Sequence, residues 1–386
     1  MINPSTSLRI KVAFVRGAFL NNFEGQNYAI KGVTGFGSLH SIHSQLPFPV
    51  IRLPSLSDYN LIGRWGRAIA NRTLGDIQNL FGLEKYASQF DIFHTADPHY
   101  YYSYQLAKLR SENKIKYLLV TSWETIPFNN ETVEAKKRKK YFVLKYADHF
   151  LCYTERAKEC LILEGVSENK ISVIRLGVDL QNFKFQITNN KSITKSKSPI
   201  QILFVGRLVE EKGVMDAYKV FRNVKLQMTN HKSITNIKLQ IVGEGPLKQT
   251  LLRKIEQDHF QNCVSIETKK YEEMPKIYQY ADIVLLPSKR TNTWEEQYGM
   301  VFVEAMASGL PIVTYDTGTI TEIISSEVIK EEGDIDGLAN SLINLIKDKK
   351  ARLKLGTMGR VRAEKFFDSK KSATEIKNLY ISLCKR

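Results

Sequence analysis

The chain has 386 residues, 43% of them hydrophobic, which is more than one compact core absorbs and enough for two. It carries 56 Lys and Arg against 40 Asp and Glu, and the excess is even, 24 against 16 up to residue 190 and 32 against 24 beyond. An even surplus of cations suits anionic partners such as phosphates, and with no basic stripe and no RNA-binding aromatic signature it argues against a nucleic-acid-binding protein. Cys152, Cys160, Cys263 and Cys384 lack CxxC spacing, so free thiols in a reducing compartment are expected. No apolar run reaches the ~20 residues of a spanning helix. The opening "MINPSTSLRIKVAFVRG" does not read as a signal peptide, so a soluble, cytoplasmic protein is expected.

In chain order, strands are predicted at 8–16, 90–96, 116–123 and 149–154, with helical patterns between them. The alternation restarts at 200–206, 237–243, 263–267, 281–288 and 311–316. Each series reads as a doubly wound α/β domain with a parallel sheet. Between them "FQITNNKSITKSKSP" (185–199) has linker composition, so the expected plan is a first domain over 1–185, a linker over 186–199, a second domain over 200–365 and a C-terminal helix over 366–386. The fragment "KSIT" at 191–194 recurs at 232–235 and reads as low-complexity loop.

Ligands of open α/β sheets sit beyond the carboxyl ends of strands, so the loops after strands hold the chemistry. In "VGRLVEEKGVMDAY" (205–218), Gly206 lets the backbone turn, Arg207 offers a planar fork of donors and Lys212 a point charge. That outlines a diphosphate clamp; the alternative is that both cations merely neutralise Glu210 and Glu211. "VGEGPLKQTL" (242–251) is a Gly-Pro turn of the kind that approaches a nucleotide through its backbone. In "EEQYGMVFVEAMASGLPIV" (295–313), Gly299 ends a loop and a helix begins at Met300 and Val301, offering free N–H groups to an anion. Glu296 precedes that helix. Glu304 lies inside it among apolar neighbours, where an unpaired carboxylate costs several kcal/mol, so it must have a partner or a ligand. Beside a diphosphate, a carboxylate suits sugar hydroxyls.

These residues, with "ADHFLCYTERAKECLILEGVSENKISVIRLGVD" (147–179) and "GTITEII" (318–324), resemble the group 1 family of retaining glycosyltransferases with the GT-B fold, from about residue 90 onward. The resemblance implies two Rossmann-like domains facing across a cleft, acceptor-binding first and nucleotide-sugar-binding second, with the C-terminal helix returning to the first. It places the transferred sugar on Glu296, the ribose on Glu304 and the diphosphate on Arg207 and Lys212, and the turn at Gly206, Gly299 and the helix start at Met300 and Val301 complete the expected donor-binding set. Arg207, Lys212 and Glu296 are then the catalytic set. Many relatives carry a Gly-Gly pair in the first loop, where this chain has "FLNNFEGQNYA" (19–29) with Gly25 alone as a donor-site glycine. Many also carry His-Asp where this chain reads Trp123 and Glu124, which are candidate acceptor residues; Trp123 reads equally as a core aromatic. The implied activity is transfer of a hexose from a nucleotide-diphosphate sugar to a hydroxyl of a glycan or lipid-linked acceptor, with retention and without cofactor or metal. The alternative is another GT-B sugar-nucleotide enzyme, an epimerase or phosphorylase.

"NNETVEAKKRKKYFVLKYADHF" (129–150) reads as one helix, capped by Asn130, with Phe142, Val143, Tyr146, Ala147 and Phe150 inward. The run Lys136, Lys137, Arg138, Lys139 and Lys140 is either a solvated surface or a contact for anionic lipid headgroups on the inner face of the cell membrane.

Overall fold

The computed structural model describes residues 10–41, 46–58, 76–183, 199–229, 236–325 and 328–385. The chain forms two compact units, Met1–Gly177 with Ser369–Arg386, and Val178–Asp368. The expected linker falls outside the described residues except for Pro199, as do both KSIT fragments.

The first unit holds a seven-stranded parallel sheet in the order β3-β2-β1-β4-β5-β6-β7. Its strands are β1 (Val12–Gly17), β2 (Val33–Ser38), β3 (Val50–Leu53), β4 (Ile92–Ala96), β5 (Tyr117–Ser122), β6 (His149–Cys152) and β7 (Ile171–Val173). All six residues of β1 are buried, as a central parallel strand covered on both faces requires. Val12 pairs with Val33 on one side and Ile92 on the other. Among the helices are α1 (Asn22–Gly25), α2 (Tyr101–Ser111), α3 (Glu134–Tyr146) and α4 (Glu155–Leu163), and they close a core around Val15, Phe93, Leu106, Leu118, Val143 and Leu161.

The second unit holds six parallel strands ordered β10-β9-β8-β11-β12-β13. These are β8 (Ile200–Val205), β9 (Ile237–Val242), β10 (Val264–Glu267), β11 (Ile283–Leu286), β12 (Ile312–Tyr315) and β13 (Ile329–Lys330). Its helices include α5 (Val214–Thr229), α6 (Lys248–Gln257), α7 (Met274–Tyr280), α8 (Met300–Ala307), α9 (Ile320–Ile323), α10 (Ile335–Lys347) and α11 (Lys349–Phe366). The last helix, α12 (Ser369–Cys384), belongs to the first unit. Both sheets are doubly wound and Rossmann-like, and the helix following the second unit does return to the first.

Chain order reverses between β1 and β4 in one sheet and between β8 and β11 in the other. At such switch points the flanking loops diverge and leave a crevice. The loop after β8 carries Arg207 and Lys212, and the loop after β11 carries Glu296. The loop after β1 leads to Glu24, and Asp97 follows β4.

The basic helix departs from its expected form. It runs Glu134–Tyr146 and begins after Val133 with no side-chain cap. Asn130 cannot cap it, because a capping residue is extended and Asn130 is left-handed, with φ 62°. Phe150 lies on β6, outside the helix.

Candidate active site

Lys212 does not neutralise the acids beside it. Its Nζ lies 3.0 and 2.8 Å from the two carboxylate oxygens of Glu296, which comes from the loop across the switch point. Glu210 is taken instead by Lys289 at 2.9 Å. The Lys212 ammonium also sits 4.6 Å from the centroid of the Trp294 ring. Ser288 Oγ donates to Glu296 Oε2 at 2.9 Å, and Thr319 donates to the Glu296 carbonyl from its backbone N at 2.9 Å and from Oγ1 at 3.1 Å. A Cβ on Gly318 would collide with that same carbonyl. The "GTITEII" segment therefore serves to clamp the backbone of Glu296, which is 4% exposed.

Arg207 behaves differently. Its guanidinium is mostly exposed and makes a 3.3 Å pair with Glu211, a surface contact worth little and easily exchanged for another anion. Gly206 donates its N–H to Val242 O at 3.0 Å. A Cβ on Gly243 would strike Gly206 O, and one on Gly245 would strike the Leu208 backbone. The glycines of "VGEGP" are thus required by the meeting of two loop backbones.

Gly299 precedes α8 with φ 72° and no side chain caps the helix, so the N–H groups of Met300 and Val301 lack intrahelical acceptors. Glu304, 3% exposed, has the partner its burial demands: Tyr278 Oη donates to its Oε2 at 2.8 Å. Burial nonetheless pushes its carboxyl up to about 7, against the opposing hydroxyls of Tyr278 and Tyr271. So the second unit gathers Glu296 and Trp294 around Lys212, with Arg207 on the same loop as Lys212 and the uncapped helix start at Met300, on the segment that follows Glu296.

In the first unit the expected residues have packing and hydrogen-bond partners of their own. Gly25 ends α1, and a Cβ there would run into the Leu46 side chain, so packing explains this glycine. Glu124 caps its own loop, accepting from the backbone of Thr125 and Ile126 at 3.0 Å and from the side-chain amides of Asn129 and Asn130 at 2.9 Å. The Trp123 ring is edge-on to Tyr153 at 4.4 Å, and its backbone N–H donates to Asp97 Oδ1 at 2.7 Å.

The five cations of α3 form no common outward patch. Lys140 is 3% exposed, bonded to Glu164 at 2.6 Å and Glu131 at 2.9 Å. Lys136 donates to Asn130 Oδ1 at 2.6 Å, and Lys139 sits 4.0 Å from the Tyr101 ring centroid. Lys137 pairs with Glu131 at 3.5 Å, and Arg138 faces outward near Glu134. Both readings, solvated surface and lipid contact, are corrected for Lys140: helical spacing puts it on the same side as buried Val143, and there Glu164 pairs with it.

A further buried set escaped the sequence reading. Arg16, 2% exposed, donates to Glu24 at 2.9 to 3.1 Å and to Thr121 Oγ1 at 3.2 Å. Tyr153 Oη donates to Glu24 Oε1 at 2.7 Å. The ring of His94 bridges Thr121 Oγ1 and Tyr380 Oη on α12, at 2.7 and 2.8 Å, and burial holds it well below its usual range, hence neutral. The signal was present: Arg16 interrupts an apolar strand as Glu304 interrupts an apolar helix.

An edge that offers a cation, an uncapped helix start and a fixed carboxylate suits a ligand anionic at one end and hydroxylated at the other. Comparison with known proteins names the class. Residues 185–362 match glycosyl transferases group 1 and residues 40–182 match Glycosyltransferase Family 4, together covering most of the chain, and the chain belongs to the group 1 glycosyltransferases. It is 28% identical over 274 residues to the capsular polysaccharide biosynthesis glycosyltransferase CapM of Staphylococcus aureus, covering 66% of this chain and 68% of the relative. It is 28% identical over 254 residues to the amylovoran biosynthesis glycosyltransferase AmsK of Erwinia amylovora, covering 64% and 60%. Among solved structures, HepE of Anabaena in complex with UDP superposes with a TM-score of 0.73 at 15% identity, over 97% of this chain and 100% of the other, which establishes the GT-B fold. No helix among the described residues is long and apolar enough to cross a membrane.

Proposed function

We propose that the protein transfers a hexose from a nucleoside-diphosphate sugar to an acceptor hydroxyl, with retention of configuration, in polysaccharide or glycolipid assembly. The supporting observation is the Lys212–Glu296 pair at the switch point of the second unit. A lysine whose charge is already balanced by a carboxylate is held in place without ligand. When a diphosphate arrives, the ammonium shifts its bonds to phosphate oxygens, and Glu296, still fixed by Ser288 and Thr319, is left with free lone pairs for the sugar hydroxyls. Arg207 exchanges its loose contact with Glu211 for the same diphosphate. The uncapped N–H groups of Met300 and Val301, with Gly206 and Gly299 beside them, complete the anion site. Glu304 takes the ribose hydroxyls.

The reaction is a same-face displacement. The bond between the anomeric carbon and the phosphate oxygen breaks, the acceptor oxygen bonds to that carbon on the face the leaving group vacates, and the acceptor proton passes to the departing diphosphate. Catalysis is then mostly stabilisation of negative charge growing on the leaving group by Lys212, Arg207 and the helix start. The UDP in HepE and the polysaccharide pathways named for CapM and AmsK support this donor type and acceptor class.

Titration calorimetry with UDP and GDP, beside product assays, tests the assignment. Lys212→Ala and Arg207→Ala should weaken diphosphate binding, by roughly ten-fold or more for a lost charge-assisted contact, and slow transfer in parallel. Glu296→Ala should slow transfer while keeping diphosphate affinity or raising it, because Lys212 is freed. Equal loss of nucleotide affinity in Lys212→Ala and Glu296→Ala would overturn the division of roles.

A further inference from the structure

Strands of a parallel sheet covered on both faces are apolar throughout, as β1 is. The amino ends of β8, β9 and β10 break that rule. Gln201, Lys238, Gln240, Cys263 and Ser265 alternate there with buried Ile202, Leu239 and Val264. The register sets Gln201 beside Lys238 and Gln240 beside Ser265, and the period of two along each strand brings all five polar side chains onto one face. Beside that face, α7 contributes Ile277 and Tyr280, and the space they enclose with it measures about 480 Å³. Small-molecule sites run from about 300 to 1,000 Å³. The Lys212–Glu296 pair lies beyond the opposite ends of the strands, roughly 20 Å off for a strand the length of β8.

Among the described residues, Lys238 is the one charged side chain lining this pocket. Its ammonium has no ion pair, and the Gln201 side-chain amide no hydrogen bond, among the described residues. Lys225, on α5, adds a second positive charge that acts on Cys263. The acids nearby are engaged: Glu267 pairs with Lys269 at 2.8 Å and accepts from the Gln240 amide, and Asp282 accepts from the Gln201 backbone N–H at 2.8 Å. Tyr280, 61% exposed, sets an aromatic ring at the rim.

We propose that this pocket binds a segment of an acidic glycan. A uronate carboxylate pairs with Lys238, ring hydroxyls bond to the amides of Gln201 and Gln240 and to Ser265, and the C–H face of a pyranose lies on Tyr280. A phosphate or other small anion would use Lys238 and leave the amides and the ring idle; a neutral sugar would leave Lys238 idle. The site is separate from that of sugar transfer, and it rests on the transferase reading only in taking a saccharide as the hydroxyl-rich anion at hand. A glycan held here stays close to the enzyme between transfers, at a raised effective concentration.

Calorimetry in saturating UDP tests this with tri-galacturonate, tri-mannuronate and a hyaluronan tetrasaccharide, against maltotriose and inorganic phosphate. At least one acidic oligosaccharide should bind, and more tightly than maltotriose. Cys263 reports the place: its alkylation by iodoacetamide, read by peptide mass spectrometry, should slow several-fold in the complex, while that of Cys384 on α12 is unchanged. Lys238→Gln should weaken binding roughly ten-fold or more, Tyr280→Ala should weaken it too, and Tyr280→Phe should keep it. UDP affinity should be the same in all three. The inference is wrong if no acidic oligosaccharide binds, if maltotriose binds as well, if phosphate protects Cys263 as fully, if Cys263 is not protected, or if Lys238→Gln and Tyr280→Ala bind like wild type. If wild type binds neither UDP nor GDP, it is the transferase reading that fails.

Discussion

Glu304 shows how one residue can work against the fold that holds it. Its carboxyl titrates at about 7 in the folded protein, while an ordinary glutamate titrates near 4.5. Between those values the folded state keeps a proton that the unfolded state releases. The stabilising contribution of the neutral acid is therefore complete below about pH 4.5 and is lost as pH rises through about 7. With each tenfold change in proton affinity worth about 1.4 kcal/mol, the loss is on the order of 3 kcal/mol. Glu304→Gln has no such loss: in ligand-free protein its melting temperature should match wild type at pH 4.5 and exceed it at pH 8. On the proposed ribose-binding role, the same variant should also bind nucleotide more weakly, since an amide offers one acceptor oxygen in place of two. A variant with identical pH dependence to wild type would refute the buried-acid reading. Asp97 titrates in the same window with the same sign, so the comparison must be made as a difference between the two proteins.

At the scale of elements, α3 was legible as a helix but not in its bounds or its surface. Composition showed five consecutive cations. What composition could not show is that Glu164 on the end of α4 and Glu131 before α3 face the Lys140 position, and only tertiary packing supplies that. Lys140 also donates to Asn129 O at 3.2 Å, and Glu164 accepts from the Phe128 N–H at 2.8 Å, so this lysine secures the whole turn between β5 and α3. Lys140→Ala would leave Glu164 buried without its cation, at a cost of about 3–5 kcal/mol. Chemical denaturation should show that fall, and Arg138→Ala, on the exposed side of the same helix, should change stability by no more than about 0.5 kcal/mol. Strands were legible where the apolar run was continuous, as in β1, β5, β8 and β11. Those missed have local reasons: β2 reads "VTGFGS" with two glycines, and β3, β7 and β13 are four, three and two residues long. At the candidate site the pattern was similar. Lys212, Glu296 and the start of α8 stood out by motif, whereas Arg16 and His94 belong to no motif, and Arg16 reaches the His94 carbonyl because β1 and β4 are neighbours in the sheet.

For the molecule as a whole, the notable fact is that its first unit is not one stretch of chain. Residues 369–386 supply α12, whose Ile376, Leu379 and Tyr380 are buried, and Tyr380 is the partner that His94 Nδ1 needs in the core. Tyr380→Phe leaves that buried nitrogen without its bond and should cost about 1–3 kcal/mol, seen as a lower unfolding midpoint. Removing the residues after Asp368 should do far more, loosening the first unit as judged by hydrogen exchange of β1 and β4, while exchange of β8 and β11 keeps its protection. Protection lost equally in both sheets would show that the units do not stand separately.

The same discontinuity sets an order on synthesis. As the chain leaves the ribosome, everything that the second unit requires has emerged before the last helix of the first, although the first began earlier. Domains commonly mature in the order in which they are made, N-terminal first. Here the part begun first must wait, with the binding site for α12 uncovered around His94, until residues 369–384 have been made. A stop codon placed before Ser369 would thus spare the later-made half and cripple the earlier one.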